Sequence, residues 1–463
     1  MSADRPLPRV QPARRIAYEV LRAVREDDAY ANLLLPTLLA EARLSPADAA
    51  LATELAYGTL RLRGYYDRVL SLVIDRDFSR LDPEVLDALR LGAHQLLSMR
   101  TAAHAAVGES VALVASAGKG SAKGFANGVL RTLTRSTPDE WHDRALAGLK
   151  GDDRLAAEYA HPSWVVAAFR DALAADGRDG QLEALLAADN EAPAVSLVAL
   201  PGLSTVEQVG EPGDVSPIGA RSSGGDPAGN PVVASGRARV QDEGSQLAAL
   251  ALSRARPVVA GERWLDMCAG PGGKAAVLAA EAALGGATLV ANELVPTRSR
   301  LVRNALAVFG SARDGSAPEV REGDALRFAT ESPAMFDRIL LDAPCTGLGA
   351  LRRRPEARWR KKPTDVAELT RLQAALLDAA VAALKAGGIL AYVTCSPHLA
   401  ETRQIVDAAL ARYPDLFSLD TPSVLSGIAT RRLHLGAGTA AQLWPHEHGT
   451  DAMFIQLITK VDS

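Results

Sequence analysis

The sequence predicts a multidomain protein in which an all-α domain is followed, across a glycine- and proline-rich connection, by a larger α/β domain on a mostly parallel, doubly wound sheet. Three observations predict this. The chain has 463 residues, too many for one ordinary domain. Residues 1–145 carry helical periodicity with no competing strand alternation. From residue 240 onward, apolar strand-like runs alternate with amphipathic helices, the pattern of a parallel sheet covered on both faces.

In the first part, Ile16, Val20 and Val24 recur at helical spacing. Ser45-Pro46 and Asp82-Pro83 each read as a cap followed by proline at the first helical position. From Val85 to Leu97, apolar residues at 85, 86, 89, 93, 96 and 97 define one helix face. Residues 146–239 form a connecting α+β segment: short helices to 190, a strand at 194–200, then a Gly/Pro/Ser-rich linker or irregular loop over 201–236. In the third part, 240–463, strands are expected at 263–267, 288–292, 318–321, 336–342, 389–395 and 452–458. Helices are expected at 274–284, 297–308 and 364–386, the last stopped by Gly387.

Composition narrows the class. Apolar residues make up 48% and charged residues 23%, values of a globular protein and not of a disordered or disulfide-stapled one. The most apolar long stretch, 372–394, is interrupted by Asp378 and Lys385, and the arginine-rich N-terminus lacks a signal-peptide core, so no membrane association and a cytoplasmic location are expected. Three cysteines, Cys268, Cys345 and Cys395, are too few for a disulfide framework. The net charge of −4 divides into +2 for 1–150, −7 for 151–240 and +1 for 241–463. Basic character must therefore be local. It concentrates in Arg352, Arg353, Arg354, Arg358, Arg360, Lys361 and Lys362, against Glu356 alone.

The chemistry lies at the expected strand ends, where such sheets bind ligands. Asp266-Met-Cys268-Ala269-Gly270-Pro271-Gly272-Gly273-Lys274 is an apolar strand entering a glycine-rich turn and a helix. It is not a P-loop, because Cys268 occupies the leading glycine position and Ala275 replaces the magnesium-binding Ser or Thr. Nor does it match a dinucleotide fingerprint, in which Pro271 and Lys274 are atypical. Glu293, twenty residues past Gly273, can accept hydrogen bonds from ribose hydroxyls, and Asp324 ends the next strand. A ribose-bearing ligand without phosphates fits.

Asp342-Ala-Pro344-Cys345-Thr346-Gly347 and Thr394-Cys395-Ser396-Pro397 end two further strands. Buried cysteines are usually inert small hydrophobes, but these two stand where a strand opens into a loop. Zinc, or any other metal, is not expected, since there is no C-x-x-C or C-x-x-H pair. Two thiols beside a ribose site suggest pyrimidine chemistry. A thiolate added to carbon 6 converts the ring into an enamine whose carbon 5 attacks an electrophilic methyl group. Asp342 could stabilise the protonated ring nitrogen. A duplex base could not reach such a site, so the substrate base would be flipped out or single-stranded.

These three segments resemble motifs I, IV and VI of the RNA cytosine-C5 methyltransferases, and Gln241-Asp-Glu-Gly-Ser-Gln246 precedes them as in that family. Ala56-Tyr-Gly-Thr-Leu-Arg61, His104-Ala-Ala-Val-Gly-Glu109 and Phe125-Ala-Asn-Gly-Val-Leu-Arg131 resemble the NusB antitermination-factor fold fused to such enzymes. The chain is thus similar to the RsmB (Sun, Fmu) family of 16S ribosomal RNA methyltransferases. The resemblance implies a NusB-like RNA-binding domain over 1–145 and a Rossmann-like catalytic domain over 240–463. It also implies S-adenosylmethionine as methyl donor, S-adenosylhomocysteine as product and 16S rRNA as partner, with no obligate protein partner evident. Cys395 becomes the nucleophile and Cys345 the residue that promotes product release. Asp266, Cys268 to Lys274, Glu293, Asp324 and Asp342 become cofactor contacts. Two departures are Gly270 in place of a frequent alanine and Ala400-Glu401-Thr402 as a partial echo of a Pro-Glu-Glu-Asn run.

RNA contact is expected from the 352–362 cluster, after the Cys345 loop, and from Lys119, Lys123, Arg131 and Arg135. Trp359 reads either as a base-stacking residue or as an anchoring aromatic. Two other functions stay open: a transfer-RNA cytosine-C5 methyltransferase, and a non-catalytic RNA-binding or antitermination-type protein.

Overall fold

The computed structural model describes residues 10–310 and 317–461; the first nine residues of the expected helical domain lie outside them. The chain divides into two compact units, one running to Ala167 and rejoined by Leu351–Arg360, the other made of Ala168–Ala350 and the chain from Lys361. The expected boundaries at 145 and 240 differ from this division.

The first unit is helical. Ser45 accepts the Asp48 amide at the start of Pro46–Arg61, and Thr137 with Glu140 forms a capping box on Pro138–Leu146, so the proline positions mark helix starts as expected. Helix Pro83–Leu97 is buried on nearly every side, with Val85, Leu86, Ala88, Leu89, Leu91 and Ala93 in the core. A helix apolar all round is a central one. A Cβ on Gly92 would stand 2.7 Å from the Leu130 side chain, which shows how closely Lys123–Leu133 packs there.

The segment Leu351–Arg360 closes this unit. The Trp359 indole donates to the Leu60 carbonyl at 2.9 Å, and its ring lies where a Cβ on Gly64 would be, 2.2 Å away. Arg358 is fully buried, its guanidinium on the carbonyls of Ala160 and Arg61 at 3.2 and 3.5 Å. Arg360 donates to the carbonyls of Ala29 and Val24.

The second unit holds two sheets. Strands β1 (Ser196–Ala199), β2 (Glu211–Pro212), β3 (Gly219–Arg221) and β4 (Ala238–Val240) form a small antiparallel sheet in the order β2-β3-β1-β4. Leu197, Ala199, Val209, Ala220, Val232 and Ala238 pack into its own core. The expected loop over 201–236 is therefore mostly folded, and it is tied down: the buried Glu243 carboxylate accepts the amides of Asp214, Val215 and Ser216 at 2.7–2.9 Å. Very short strands separated by glycine and proline leave no alternation to read.

The large sheet comprises β5 (Arg263–Asp266), β6 (Thr288–Glu293), β7 (Glu319–Glu322), β8 (Phe336–Asp342), β9 (Leu384–Thr394), β10 (Leu416–Ser418), β11 (Ala441–Gln442) and β12 (Phe454–Lys460). Its order is β10-β12-β9-β8-β5-β6-β7, with β11 paired to β12. From β9 to β7 every pairing is parallel; β12 and β10 run antiparallel. The strand order reverses between β5 and β8, and a ligand crevice opens at such a switch point. One expected boundary moves: helix Pro363–Ala383 stops three residues early because Leu384 already pairs with Phe336. Pairing resumes at Ile389 opposite Arg338, and Gly387, with φ 72°, sits in the bulge between them. It is a bulge residue and not a helix stop.

Candidate active site

All five parallel strands deliver chemistry at their carboxyl ends. β5 ends in Asp266, and the loop to Gly272 leads into helix Gly273–Gly285. Gly272 has φ 106°, and a Cβ there would press to 2.5 Å on Ala305. A Cβ on Gly270 would stand 2.1 Å from the Glu293 carboxylate, which accepts the Gly270 amide at 3.0 Å. That closeness explains glycine where the family often has alanine.

The buried Glu293 also accepts the Val295 amide, and Arg298 donates to the Gly270 carbonyl at 2.6 Å. Each Glu293 oxygen thus holds one backbone donor and keeps a lone pair for a hydroxyl. Asp324, at the end of β7, is exposed and accepts the Leu326 amide.

Asp266 is fully buried, and neither carboxylate oxygen makes a well-formed hydrogen bond among the described residues. Burial, then the neighbouring Asp342, pushes its pKa up to about 8, only partly offset by Lys274. Gln241, also buried, has both amide atoms without partners among the described residues and lies against Gly273. Unpaired buried polar groups flanking a glycine turn fit a polar ligand that brings its own donors. Lys274 reaches Asp342 with Nζ to Oδ2 at 2.8 Å. Burial opposes its charge, yet the adjoining Asp342, with Cys395 and Asp266 near, holds its pKa above the ordinary value.

The two later cysteines meet. Cys345, in the loop after β8, and Cys395, at the end of β9, have sulfurs 3.5 Å apart, both as free thiols. The hydrogen bond to Cys395, burial and the charges of Cys395, Glu401 and Asp342 drive the Cys345 thiol well above its ordinary pKa. Cys345 is thus the thiol of the pair held towards its protonated form. Cys268 is held protonated as well, by burial and then by Asp266. Only Cys395 is left with a proton donor on one side and Lys274 in its charge neighbourhood.

The sequence reading did not single out Glu401 as a site residue. Fully buried, its carboxylate accepts the Thr346 amide at 2.7 Å, the Thr346 hydroxyl at 2.5 Å, the Ser396 hydroxyl at 2.6 Å and the Gln373 amide at 3.3 Å. Its signal in the sequence was the Ala400-Glu401-Thr402 echo of the family's Pro-Glu-Glu-Asn run, five residues past Ser396. Among the described residues no cluster of His, Cys, Asp and Glu could hold a metal ion, and no helix is long and apolar enough to cross a membrane.

The expected RNA contacts separate into two groups. Lys123, Arg131 and Arg135 are exposed. Lys119 is paired to Asp82 at 3.1 Å and Glu84 at 3.7 Å. Lys361 is half-buried and Lys362 exposed. Arg352 and Arg358 are buried, so their charges do not form the RNA-facing row the sequence suggested. Arg353 is half-buried, and Arg354 stacks over the Tyr30 ring, as Arg360 does. Trp359 is the anchoring aromatic.

The family model described as 16S rRNA methyltransferase RsmB/F matches residues 256–459, and that of the NusB family matches residues 11–135. A Mycobacterium tuberculosis protein named as a methyltransferase without a stated substrate is 46% identical over 98% of this chain and 97% of its own. The ribosomal RNA small subunit methyltransferase B of Pseudomonas putida is 32% identical over 98% of each chain. The crystal structure of the protein PH0851 shares the fold, with a TM-score of 0.79 at 20% identity over 98% of this chain and 100% of that one.

Proposed function

The chain belongs to the RsmB/F family of 16S rRNA methyltransferases, and from that premise we propose that it methylates carbon 5 of a cytosine in small-subunit rRNA through a covalent adduct between Cys395 and carbon 6. The observation that carries this reading is the Cys345–Cys395 pair at 3.5 Å, beside Lys274–Asp342 at the switch point of the sheet. A non-catalytic protein has no use for that arrangement.

S-adenosylmethionine, when bound, supplies an electrophilic methyl group on sulfonium. Glu293 would hold its ribose hydroxyls, Asp266 its ammonium, and the backbone of Cys268 to Lys274 would line it, with Asp324 towards the base. The buried Asp266 carboxylate, with neither oxygen in a well-formed hydrogen bond among the described residues, fits such a ligand. Cys395, as thiolate, would form a bond to carbon 6 of the cytosine while ring nitrogen 3 takes a proton from solvent that Asp342 holds there, and the electron pair of the carbon 5–carbon 6 double bond moves to carbon 5. Carbon 5 takes the methyl group and S-adenosylhomocysteine is left. Loss of the carbon 5 proton to water, release of the nitrogen 3 proton and breakage of the Cys395–carbon 6 bond then restore the aromatic ring, with Cys345 placed to return a proton to the departing thiolate. The target base must be unstacked to enter.

RNA contact is assigned to Lys123, Arg131, Arg135 and Lys362, which are exposed. The test is incubation of the purified protein with labelled S-adenosylmethionine and undermethylated 16S rRNA. Label in 5-methylcytosine is expected. Label in another nucleotide, or in transfer RNA alone, overturns the assignment.

A further inference from the structure

We propose that Glu401 is a positioning residue: its buried carboxylate binds the two thiol-bearing loops to each other and decides which of the two sulfurs is presented as the nucleophile. The cysteine roles rest on the reading above, whereas the selectivity between the thiols is a property of the protein alone.

Glu401 closes the turn before helix Arg403–Arg412 and sits in no strand, yet it has no exposed surface. All four groups around its carboxylate act as donors, the pattern of an ionised acid used as a knot. Two of these donors, the amide and hydroxyl of Thr346, directly follow Cys345. A third, the Ser396 hydroxyl, directly follows Cys395. Gln373 adds a brace by also donating to the Pro344 carbonyl at 2.8 Å, on the other side of Cys345. The Glu401 backbone is fixed in turn, because the Tyr392 hydroxyl of β9 donates to its carbonyl at 2.7 Å. One side chain thus sets the separation of two loops that come from different strands.

The charge is also placed asymmetrically. Glu401 and Asp342 are the carboxylates acting on Cys345, and both disfavour a second anion there. Lys274 is the cation acting near Cys395, and Asp266 and Asp342 also act on it. Tyr392 faces the same group and is itself held protonated by burial and then by Cys345 and Glu401. The negative knot under Cys345 and the cation near Cys395 act in the same direction: they favour the proton on Cys345 and the reactive thiolate on Cys395.

The test uses the full chain without RNA or cofactor, so it does not depend on methyl transfer. The protein is treated with limiting iodoacetamide at pH 8, and the alkylated cysteines are mapped by mass spectrometry. Wild type should label Cys395 ahead of Cys345. Glu401→Gln preserves the shape but removes the charge, and a one-unit change in thiol pKa alters the thiolate fraction about tenfold. The Cys395-to-Cys345 labelling ratio should therefore fall on the order of tenfold, with the melting temperature near that of wild type. Glu401→Asp keeps the charge but cannot span both loops, and should also lower the ratio. If the first variant fails to fold, the second supplies the readout. A ratio equal to wild type in a folded variant overturns the proposal. In turnover assays, Glu401→Gln should lower kcat while leaving KM for RNA within a factor of about two, because the residue touches neither substrate.

Discussion

The sulfurs of Cys345 and Cys395 lie 3.5 Å apart, and the hydrogen bond between them, burial and the flanking carboxylates hold Cys345 towards its protonated form. This makes the two substitutions asymmetric. Cys345→Ala leaves the attacking sulfur in place and removes the proton donor that faces it, so the Cys395–RNA bond should form and persist. A denaturing gel should show an RNA-shifted band. Cys395→Ala should show none and no turnover. A shifted band in Cys395→Ala with none in Cys345→Ala would reverse the roles.

The large sheet was readable because each strand is an apolar run broken by glycine or proline at a carboxyl end, and the ligand-facing motifs stand in those breaks. Six expected strands fall within two or three residues of observed ones, with β9 reaching back further to Leu384. Two features were not readable. A run such as Arg352 to Lys362 has the same sequence whether its guanidiniums meet phosphates or buried carbonyls; only the fold shows Arg358 on Ala160 and Arg61. Glu401 likewise became a site residue only when chain folding brought Thr346 and Ser396 to it from separate strands.

The ion pair Lys274–Asp342 connects the cofactor loop to the thiol loops, and it is largely buried. Asp342→Asn should keep the contact geometry but lose the charge that favours the protonated ring during thiol addition. Turnover should fall by about 10²–10⁴, the usual range for loss of an acid–base group, and the melting temperature should fall too, because the buried Lys274 loses its charge partner. Lys274→Met likewise removes one partner of a buried pair, a change that costs about 3–5 kcal/mol. Thermal denaturation of the two variants side by side checks both statements.

Arg358 and Arg131 were similar in the sequence and differ in the fold. Arg358 is buried against carbonyls, whereas Arg131 is exposed, with its side chain donating to Asn127. Arg358→Ala should lower the stability of the helical unit by about 1–3 kcal/mol, since it leaves buried carbonyls without donors. Arg131→Ala should leave the melting temperature unchanged. In RNA binding measured against salt, Arg131→Ala should lower the slope of log K on log salt by about one. A loss of slope in folded Arg358→Ala would return that residue to the RNA surface.

Asp266 predicts a pH dependence of stability with a definite sign. Its folded pKa of about 8 lies far above the value of 3.8 expected in the unfolded chain. Between these values the folded protein keeps a proton that the unfolded chain releases, so this residue's contribution is full below pH 4 and is lost as pH rises towards 8. The slope is at most about 1.4 kcal/mol per pH unit. Asp266→Asn removes the titration while keeping the shape. Its melting temperature should match wild type near pH 4 and exceed it progressively up to pH 8, where the gap becomes constant. The same variant should bind S-adenosylmethionine more weakly in calorimetry, because the amide no longer offers a charge to an ammonium. Parallel melting curves from pH 4 to 9 would show that Asp266 titrates in the folded protein as it does in the unfolded chain, and would overturn the raised pKa.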